Sequence, residues 1–363
     1  MRISCAISSL STGGAERVMA SLANRWANAG HNVSVITLGS AASDAYPLDY
    51  RVQRIALSRM QESGSLTEAF LLNVGRIHAL RRAIRSRHPD VVVSFSSQLN
   101  VLALLSCVGL GVPVVISERV HPPSHDIGTP WELLRRWTYP SAAAVVVQTA
   151  AARDWASGVA RSGRVYVIPN AVGLPFVAAP DPEVRSPVVL GLGRLVAQKG
   201  FDLLIRAFGK LAHRHPAWSL RIIGEGPEEG RLKALAADVL PLRMVEFRGS
   251  VADPERHYRE VALFVLPSRF EGFPNALLEA MASGCAVIAA DCPAGPSEII
   301  RGDLDGVLIP PDDVEALARA MDRLMADAVM RERLGRHARE VTGRFGADRI
   351  APLWDAVVMR VRR

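Results

Sequence analysis

The sequence predicts an α/β protein of two doubly wound domains, each a parallel sheet covered by helices on both faces. Three observations support this. Short β-branched runs alternate with longer stretches of helical periodicity from end to end, as in repeated βα units. The 363 residues exceed the roughly 250 at which single cores stop growing. Between Val172 and Pro187 periodicity lapses and Pro175, Pro180, Pro182 and Pro187 cluster, which reads as a linker. The expected division is an N-terminal domain over 1–180, a C-terminal domain over 181–345, and a closing helix over 346–363 that packs back on the first domain.

Taken in order, strands are expected near 2–9, 32–38, 52–57, 90–95, 112–117, 143–148 and 165–169, with helices between them. The second domain restarts the alternation with VVLGLG (188–193), SLRIIG (219–224), MVEFRG (244–249), ALFVLPS (262–268), AVIAAD (286–291) and GVLIPP (306–311). Helical pattern alone follows them. In such sheets ligands sit at the carboxyl ends of the strands, where loops and helix N-termini converge, and two such domains imply a cleft.

Composition narrows the class. Hydrophobic residues make up 49% and charged residues 22%, so the chain is globular rather than disordered. No apolar run approaches the ~20 residues that a membrane-spanning helix needs, and ISCAISSL after Arg2 is strand-like rather than a signal-peptide core. A cytoplasmic protein, peripheral at most to the inner face of the cell membrane, is expected. Cys5, Cys107, Cys285 and Cys292 form no C-x-x-C pair and read as buried thiols of a reducing compartment. Of the net charge of +7, residues 1–185 carry +6. A phosphorylated substrate, an anionic membrane or a nucleic acid would each suit that field.

Chemistry is sought at the strand ends. After the first strand, Gly13 and Gly14 permit positive φ and a close backbone approach before a helix starting near Ala15 or Glu16, whose free N–H groups could meet an anion. A plain strand-to-helix turn would look the same. Neither G-x-G-x-x-G nor G-x-x-x-x-G-K-[ST] occurs, which disfavours a standard dehydrogenase and a P-loop enzyme. In LGLGRLVAQKGF, Arg194 follows a glycine-closed strand and Lys199 stands where the next helix begins. A cation at a helix start opposes the macrodipole unless an anion lies beside it, so this pair reads as a diphosphate clamp. In LPSRFEGFPNALLEAMASG, Pro274 suits a first helical turn and predicts a helix over Phe273–Ser283, opened by Glu271 and Gly272. Glu271 stands before the helix and Glu279, eight residues on, lies about one and a half turns beyond Pro274, so the two carboxylates can meet different ends of one ligand and accept paired sugar hydroxyls. Asp303-Leu304-Asp305, the only D-x-D, reads as a turn and not a metal site.

The E-x7-E spacing of Glu271 and Glu279, the GRL-x3-KG containing Arg194 and Lys199, the GEGP of Gly224 to Pro227 and the GGAER of Gly13 to Arg17 together resemble a family 4 glycosyltransferase of the GT-B fold. The resemblance covers nearly the whole chain. SERVHPP (117–123) and DCPAGPSEII (291–300) resemble the branch that extends lipid-linked oligosaccharides or exopolysaccharide. It implies two Rossmann-like domains facing across a cleft, and a retaining, metal-independent transfer of a hexose or N-acetylhexosamine without a cofactor. The donor is then a nucleotide sugar, UDP-linked, and the acceptor a polyprenyl-diphosphate-linked glycan. By the same resemblance Arg194 and Lys199 bind the donor diphosphate, Glu279 holds the ribose, and Glu271 with Gly272, Phe273, Pro274 and Asn275 holds the transferred sugar. Glu225 and the turn of Gly13 and Gly14 join the donor contacts. Glu118, Arg119 and His121 are assigned to the acceptor side.

For the membrane, FLLNVGRIHALRRAIRSRH (70–88) has five arginines and no acid, with Leu72, Ile77, Leu80 and Ile84 as an apolar stripe toward an anionic leaflet. Trp131, Arg135, Arg136, Trp137 and Tyr139 form a second basic and aromatic cluster. Two other readings stay open: a sugar-nucleotide epimerase of the same fold, and a basic nucleic-acid-binding protein, although no RNA- or DNA-binding signature occurs.

Overall fold

The computed structural model describes every residue except 62–63, 162, 173–184, 252 and 363. Most of the proline-rich stretch expected as a linker therefore lies outside the described residues. The chain divides into two compact units, Met1–Pro169 with Ile350–Arg363, and Asn170–Arg349.

The first unit holds β1 (Arg2–Ile7), β2 (Asn32–Thr37), β3 (Gln53–Ala56), β4 (Val91–Phe95), β5 (Val114–Ser117), β6 (Ala144–Val147) and β7 (Val165–Val167). Their order across the sheet is β3-β2-β1-β4-β5-β6-β7, and every pairing is parallel. The second unit holds β8 (Ser186–Leu192), β9 (Ser219–Ile223), β10 (Val245–Arg248), β11 (Val261–Leu266), β12 (Ala286–Ala290) and β13 (Val307–Ile309), ordered β10-β9-β8-β11-β12-β13 and again parallel throughout. Each expected strand appears, most of them shorter than expected, while β8 starts two residues earlier and β11 one residue earlier. The central strands β4 and β11 are buried along their whole length, as strands covered by helices on both faces must be. In both sheets the winding reverses beside the first strand, between β1 and β4 and between β8 and β11. That reversal opens a crevice at the strands' carboxyl ends.

Some helices pack by a single face, while Ser97–Cys107 is buried nearly all round. Phe201–Leu211 buries Phe201, Leu204, Ile205 and Phe208 at helical spacing beneath β8 and β9. The closing helix Ala347–Val361 lays Trp354 against Phe95 at 5.4 Å between ring centroids, and Asp355 accepts from Trp26 Nε1 at 2.9 Å and Arg25 at 3.0 Å. An aromatic anchor with its polar partner thus fixes residues 350–361 in the first unit.

All four cysteines are buried, and burial pushes each thiol up to about 12. At pH 8 only roughly one in ten thousand of each would be thiolate. We expect no reaction of the native protein with an aromatic disulfide reagent at that pH and four equivalents after unfolding. Fast native labelling of any thiol would contradict the packing.

Two corrections concern the helix Leu66–Arg87. Its expected lipid-facing stripe does not face outward, because Leu80 and Ile84 are packed into the core. Three of its five arginines are also bonded within the protein, Arg87 to Asn32 Oδ1 at 3.4 Å. Arg76 donates to the carbonyls of Arg59 and Gln61, and Arg81 to those of Ser106 and Val108. Arg82 and Arg85 are exposed. Among the described residues no helix is long and apolar enough to cross a membrane.

Candidate active site

The second unit assembles its site from neighbouring strands at the winding reversal. β8 ends in Gly193 and Arg194, followed by the short 3-10 turn Ala197–Lys199 and Gly200, whose φ of +65° begins the helix Phe201–Leu211. Gly193 lies alongside the Lys199 stem, its Cβ position at contact distance, 3.5 Å, from Cε. β11, hydrogen-bonded to β8, ends in the loop carrying Glu271. Lys199 Nζ donates to Glu271 Oε1 at 2.6 Å, joining across 72 residues the two motifs that the sequence places apart. Glu271 is 5% exposed, so its charge needs that partner.

The helix begins later than expected. It runs Asn275–Ala282, with Pro274 as its N-cap in extended backbone rather than in its first turn. Glu279 lies in it, 8% exposed and partnered. Gly272, Phe273 and Pro274 are buried at its opening. Asn170 Nδ2 donates to the Phe273 carbonyl at 2.8 Å, and Gly295, at φ +97°, packs against Gly272 and Pro274 so closely that a Cβ would come within 2.7 Å of Pro274 Cδ. The DCPAGPSE stretch thereby buttresses the loop. Glu225 belongs to the turn after β9, is exposed, and accepts from the Ser250 N–H at 3.0 Å. Its flanking Gly224 and Gly226 let that turn close on residues 193–195, where the Leu195 N–H donates to the Glu225 carbonyl at 2.8 Å. Arg194 is exposed on this turn.

A residue missed by the sequence reading locks these loops. Arg269 donates through Nη1 to the Ala197 carbonyl at 2.7 Å, and through both Nη atoms to the Asp202 carboxylate at 2.9 Å each. Its Nε meets Asp312 Oδ1 at 2.9 Å. Burial alone would raise the Asp202 carboxyl, but the Arg269 bonds and charge outweigh it and hold that group below the usual range.

In the first unit the strand ends gather Gly13, Glu16, Arg119 and His121. Gly13 has extended backbone, φ −177°, so positive φ is not what a glycine serves here. A Cβ would lie 2.1 Å from Glu16 Oε2, and the flexible end of that side chain would have to shift. The helix starts at Gly14, and the Gly13 N–H donates to the Tyr46 hydroxyl at 3.2 Å. Burial lowers the Arg119 guanidinium against the opposing charge of Glu16, and the side chain lies 4.5 Å over the Phe95 ring. The GGAER and SER motifs thus meet through Glu16 and Arg119. His121 is buried with Nδ1 2.9 Å from Ser124 Oγ, and burial lowers its ring.

Glu118 departs from its expected place on the acceptor side. It is 1% exposed and accepts from Ser97 Oγ at 2.6 Å and from the Tyr139 hydroxyl, with Arg135 Nη1 at 3.8 Å. Burial raises its carboxyl against those bonds. It organises the core beneath β4 and β5. Tyr139 and Arg135, expected at a membrane interface, are buried in the same network.

Asp305 of the D-x-D is fully buried and accepts from Arg301 Nε at 2.6 Å and Arg344 at 3.1 Å, while Asp303 lies on the surface. Among the described residues no group of three or more His, Cys, Asp or Glu is arranged to hold a metal.

Comparison with known proteins identifies the family. Residues 12–176 match the sequence model of Glycosyltransferase Family 4, and residues 177–341 that of Glycosyl transferases group 1. The chain belongs to the family 4 glycosyltransferases, with the GT-B fold, and is an enzyme of polysaccharide or lipid-linked glycan synthesis. One relative is an exopolysaccharide phosphotransferase of Streptomyces coelicolor, 37% identical over 76% of this chain, although the match spans only 29% of that protein. A second is a Campylobacter jejuni α-1,4-N-acetyl-D-galactosaminyltransferase acting on a GalNAc- and diNAcBac-bearing PP-undecaprenol, 26% identical over 100% of this chain and 99% of its own. Among solved structures, Anabaena HepE in complex with UDP and glucose superposes with a TM-score of 0.81 at 19% identity, covering 99% of this chain and 100% of its own. TarM of S. aureus gives 0.81 at 15% identity over 98% and 99%.

Proposed function

We propose that the enzyme is a retaining, metal-independent transferase that moves a hexose or N-acetylhexosamine from a UDP-sugar to a polyprenyl-diphosphate-linked glycan. The observation that carries this reading is the Lys199–Glu271 pair at the carboxyl ends of the paired strands β8 and β11, with Arg194 exposed on the same strand-end loop as Lys199. Cleaving the bond between sugar and nucleotide leaves negative charge on the outer phosphate as the sugar carbon turns cation-like. Fixed cations stabilise that charge best where water is scarce and no reorganisation is needed. Arg194 and Lys199 serve that role, in place of a metal. Glu271 and Glu279, both nearly buried, accept hydroxyls from the sugar and the ribose respectively. Retention follows from attack on the face the diphosphate leaves, its oxygen taking the acceptor's proton. The solved HepE complex with UDP and glucose and the Campylobacter relative's undecaprenol-linked substrate support the choice of donor and acceptor.

A thermal-shift panel of UDP, GDP and CDP with their sugars tests the reading. A ligand at 100 times its Kd stabilises by about 2.7 kcal/mol, so UDP and one UDP-sugar are expected to raise the midpoint. No shift with any nucleoside diphosphate would refute it.

We place the membrane contact of this peripheral enzyme, at the inner face of the cell membrane, on the helix Thr129–Thr138 and the start of Leu66–Arg87. Leu133 and Trp137 are 63% and 73% exposed, one turn apart, with exposed Arg136 beside them, and Phe70 and Leu71 are exposed too. Tryptophan beside arginine suits an anionic interface. Leu133→Ser with Trp137→Ser is expected to cut sedimentation with phosphatidylglycerol vesicles at least fivefold. Unchanged sedimentation would dismiss this surface.

A further inference from the structure

We propose that Arg269 is a positioning residue that sets Lys199 for the diphosphate; the inference rests on the donor reading above. A lysine ammonium is a point charge on a flexible four-carbon stem, so its placement depends on what fixes the backbone beneath it. That backbone is a 3-10 turn of three residues, Ala197–Lys199, too short to hold its own geometry. Arg269 grips it from two sides. Its guanidinium takes the Ala197 carbonyl and, in a two-pronged pair, the Asp202 carboxylate of the following helix. Its own N–H donates to the Gln198 carbonyl at 2.8 Å, and Gln198 Nε2 returns a bond to the Phe270 carbonyl at 2.8 Å. Residues 197, 198 and 202 are thereby tied to residues 269 and 270, immediately before Glu271.

The third nitrogen reaches a third loop. Nε holds Asp312, which follows β13 and adopts φ +58°. All the guanidinium nitrogens are therefore used, and the planar fork is what lets one side chain serve three strand-end loops. The Lys199–Glu271 contact of 2.6 Å is the product of that bracing, since each partner stands next to an anchored segment. Gly200 completes it. A Cβ there would come within 2.1 Å of the Pro267 carbonyl oxygen, so the Lys199 turn sits directly against the Arg269 loop.

The experiment is calorimetric titration of UDP and GDP, each against its monophosphate, into wild type, Arg269→Ala, Arg269→Lys, Lys199→Met and the double variant Arg269→Ala/Lys199→Met. The ratio of diphosphate to monophosphate affinity reads the outer phosphate alone. Arg269→Ala is expected to shrink it tenfold or more while monophosphate affinity stays within twofold. Arg269→Lys, which keeps the charge but cannot fork, should behave like the alanine variant. In the Lys199→Met background, Arg269→Ala should remove nothing further, because its effect passes through Lys199. Asp312→Asn tolerates the left-handed backbone and loosens only the Nε contact; it should shrink the ratio about threefold and covers the case in which the Arg269 variants fail to fold. An unchanged ratio, or losses that multiply in the double variant, would overturn the role of Arg269 while leaving the donor site standing. Wild type that binds no nucleoside diphosphate would overturn both.

Discussion

Lys199→Ala is expected to lower the turnover of sugar transfer about 10²–10³-fold, the usual cost of removing one fixed group that meets developing negative charge. The variant also strands Glu271, which is 5% exposed, and leaving one member of a buried pair costs up to about 3–5 kcal/mol. Lost activity alone would therefore confuse chemistry with folding. The double variant Lys199→Met/Glu271→Gln separates them by removing both charges at nearly constant volume. Its unfolding midpoint should return close to that of wild type while transfer stays at the Lys199→Ala level. Recovery of transfer together with stability would show that the pair serves only the fold. Glu279→Ala is expected to lose transfer to a similar extent with a smaller change in stability, because that helix keeps its apolar face of Leu277, Leu278 and Met281.

Gly224→Ala is expected to destabilise the second unit by at least about 3 kcal/mol and to weaken UDP binding more than tenfold. Gly224 has φ +142°, a region that costs other residues about 1–3 kcal/mol, and the added Cβ would stand 1.9 Å from the Gly193 carbonyl oxygen. Neither group can yield cheaply, since both are backbone at the ends of paired strands β8 and β9. The turn carrying Arg194 must move instead, which is why stability and binding should fall together. Gly230→Ala is the control. Gly230 lies in the helix Glu229–Val239 with nothing within 4 Å of its Cβ position, and alanine there should be neutral or stabilising by up to about 1 kcal/mol. Urea midpoints for the two variants decide the matter. Equal stability would mean that the close approach at Gly224 is not maintained.

The strand positions were legible because β-branched runs bounded by glycine and proline carry their own local signal, and all thirteen strands lie where that signal put them. The helix start after Pro274 was misjudged by little, because proline suits an N-cap as well as a first turn. Periodicity misled at Leu66–Arg87. An apolar stripe beside arginines has the same spacing whether it meets lipid or core, and Leu80 and Ile84 meet the core. Glu118 was misplaced for a similar reason: a carboxylate at a strand end reads as a ligand group, while its buried partners Ser97 and Tyr139 lie 21 residues to either side. Arg269 was invisible because its main partner Asp202 is 67 residues away, and only folding brings the strand-end loops together. Motif spacing names groups within one loop. It does not name what braces one loop against another.

A crystal of the enzyme soaked with UDP tests the central assignment most directly. Pyrophosphate density is expected within hydrogen-bond reach of Lys199 Nζ and the Arg194 guanidinium, with the ribose against Glu279. Nucleotide bound away from the carboxyl ends of β8 and β11 would contradict it.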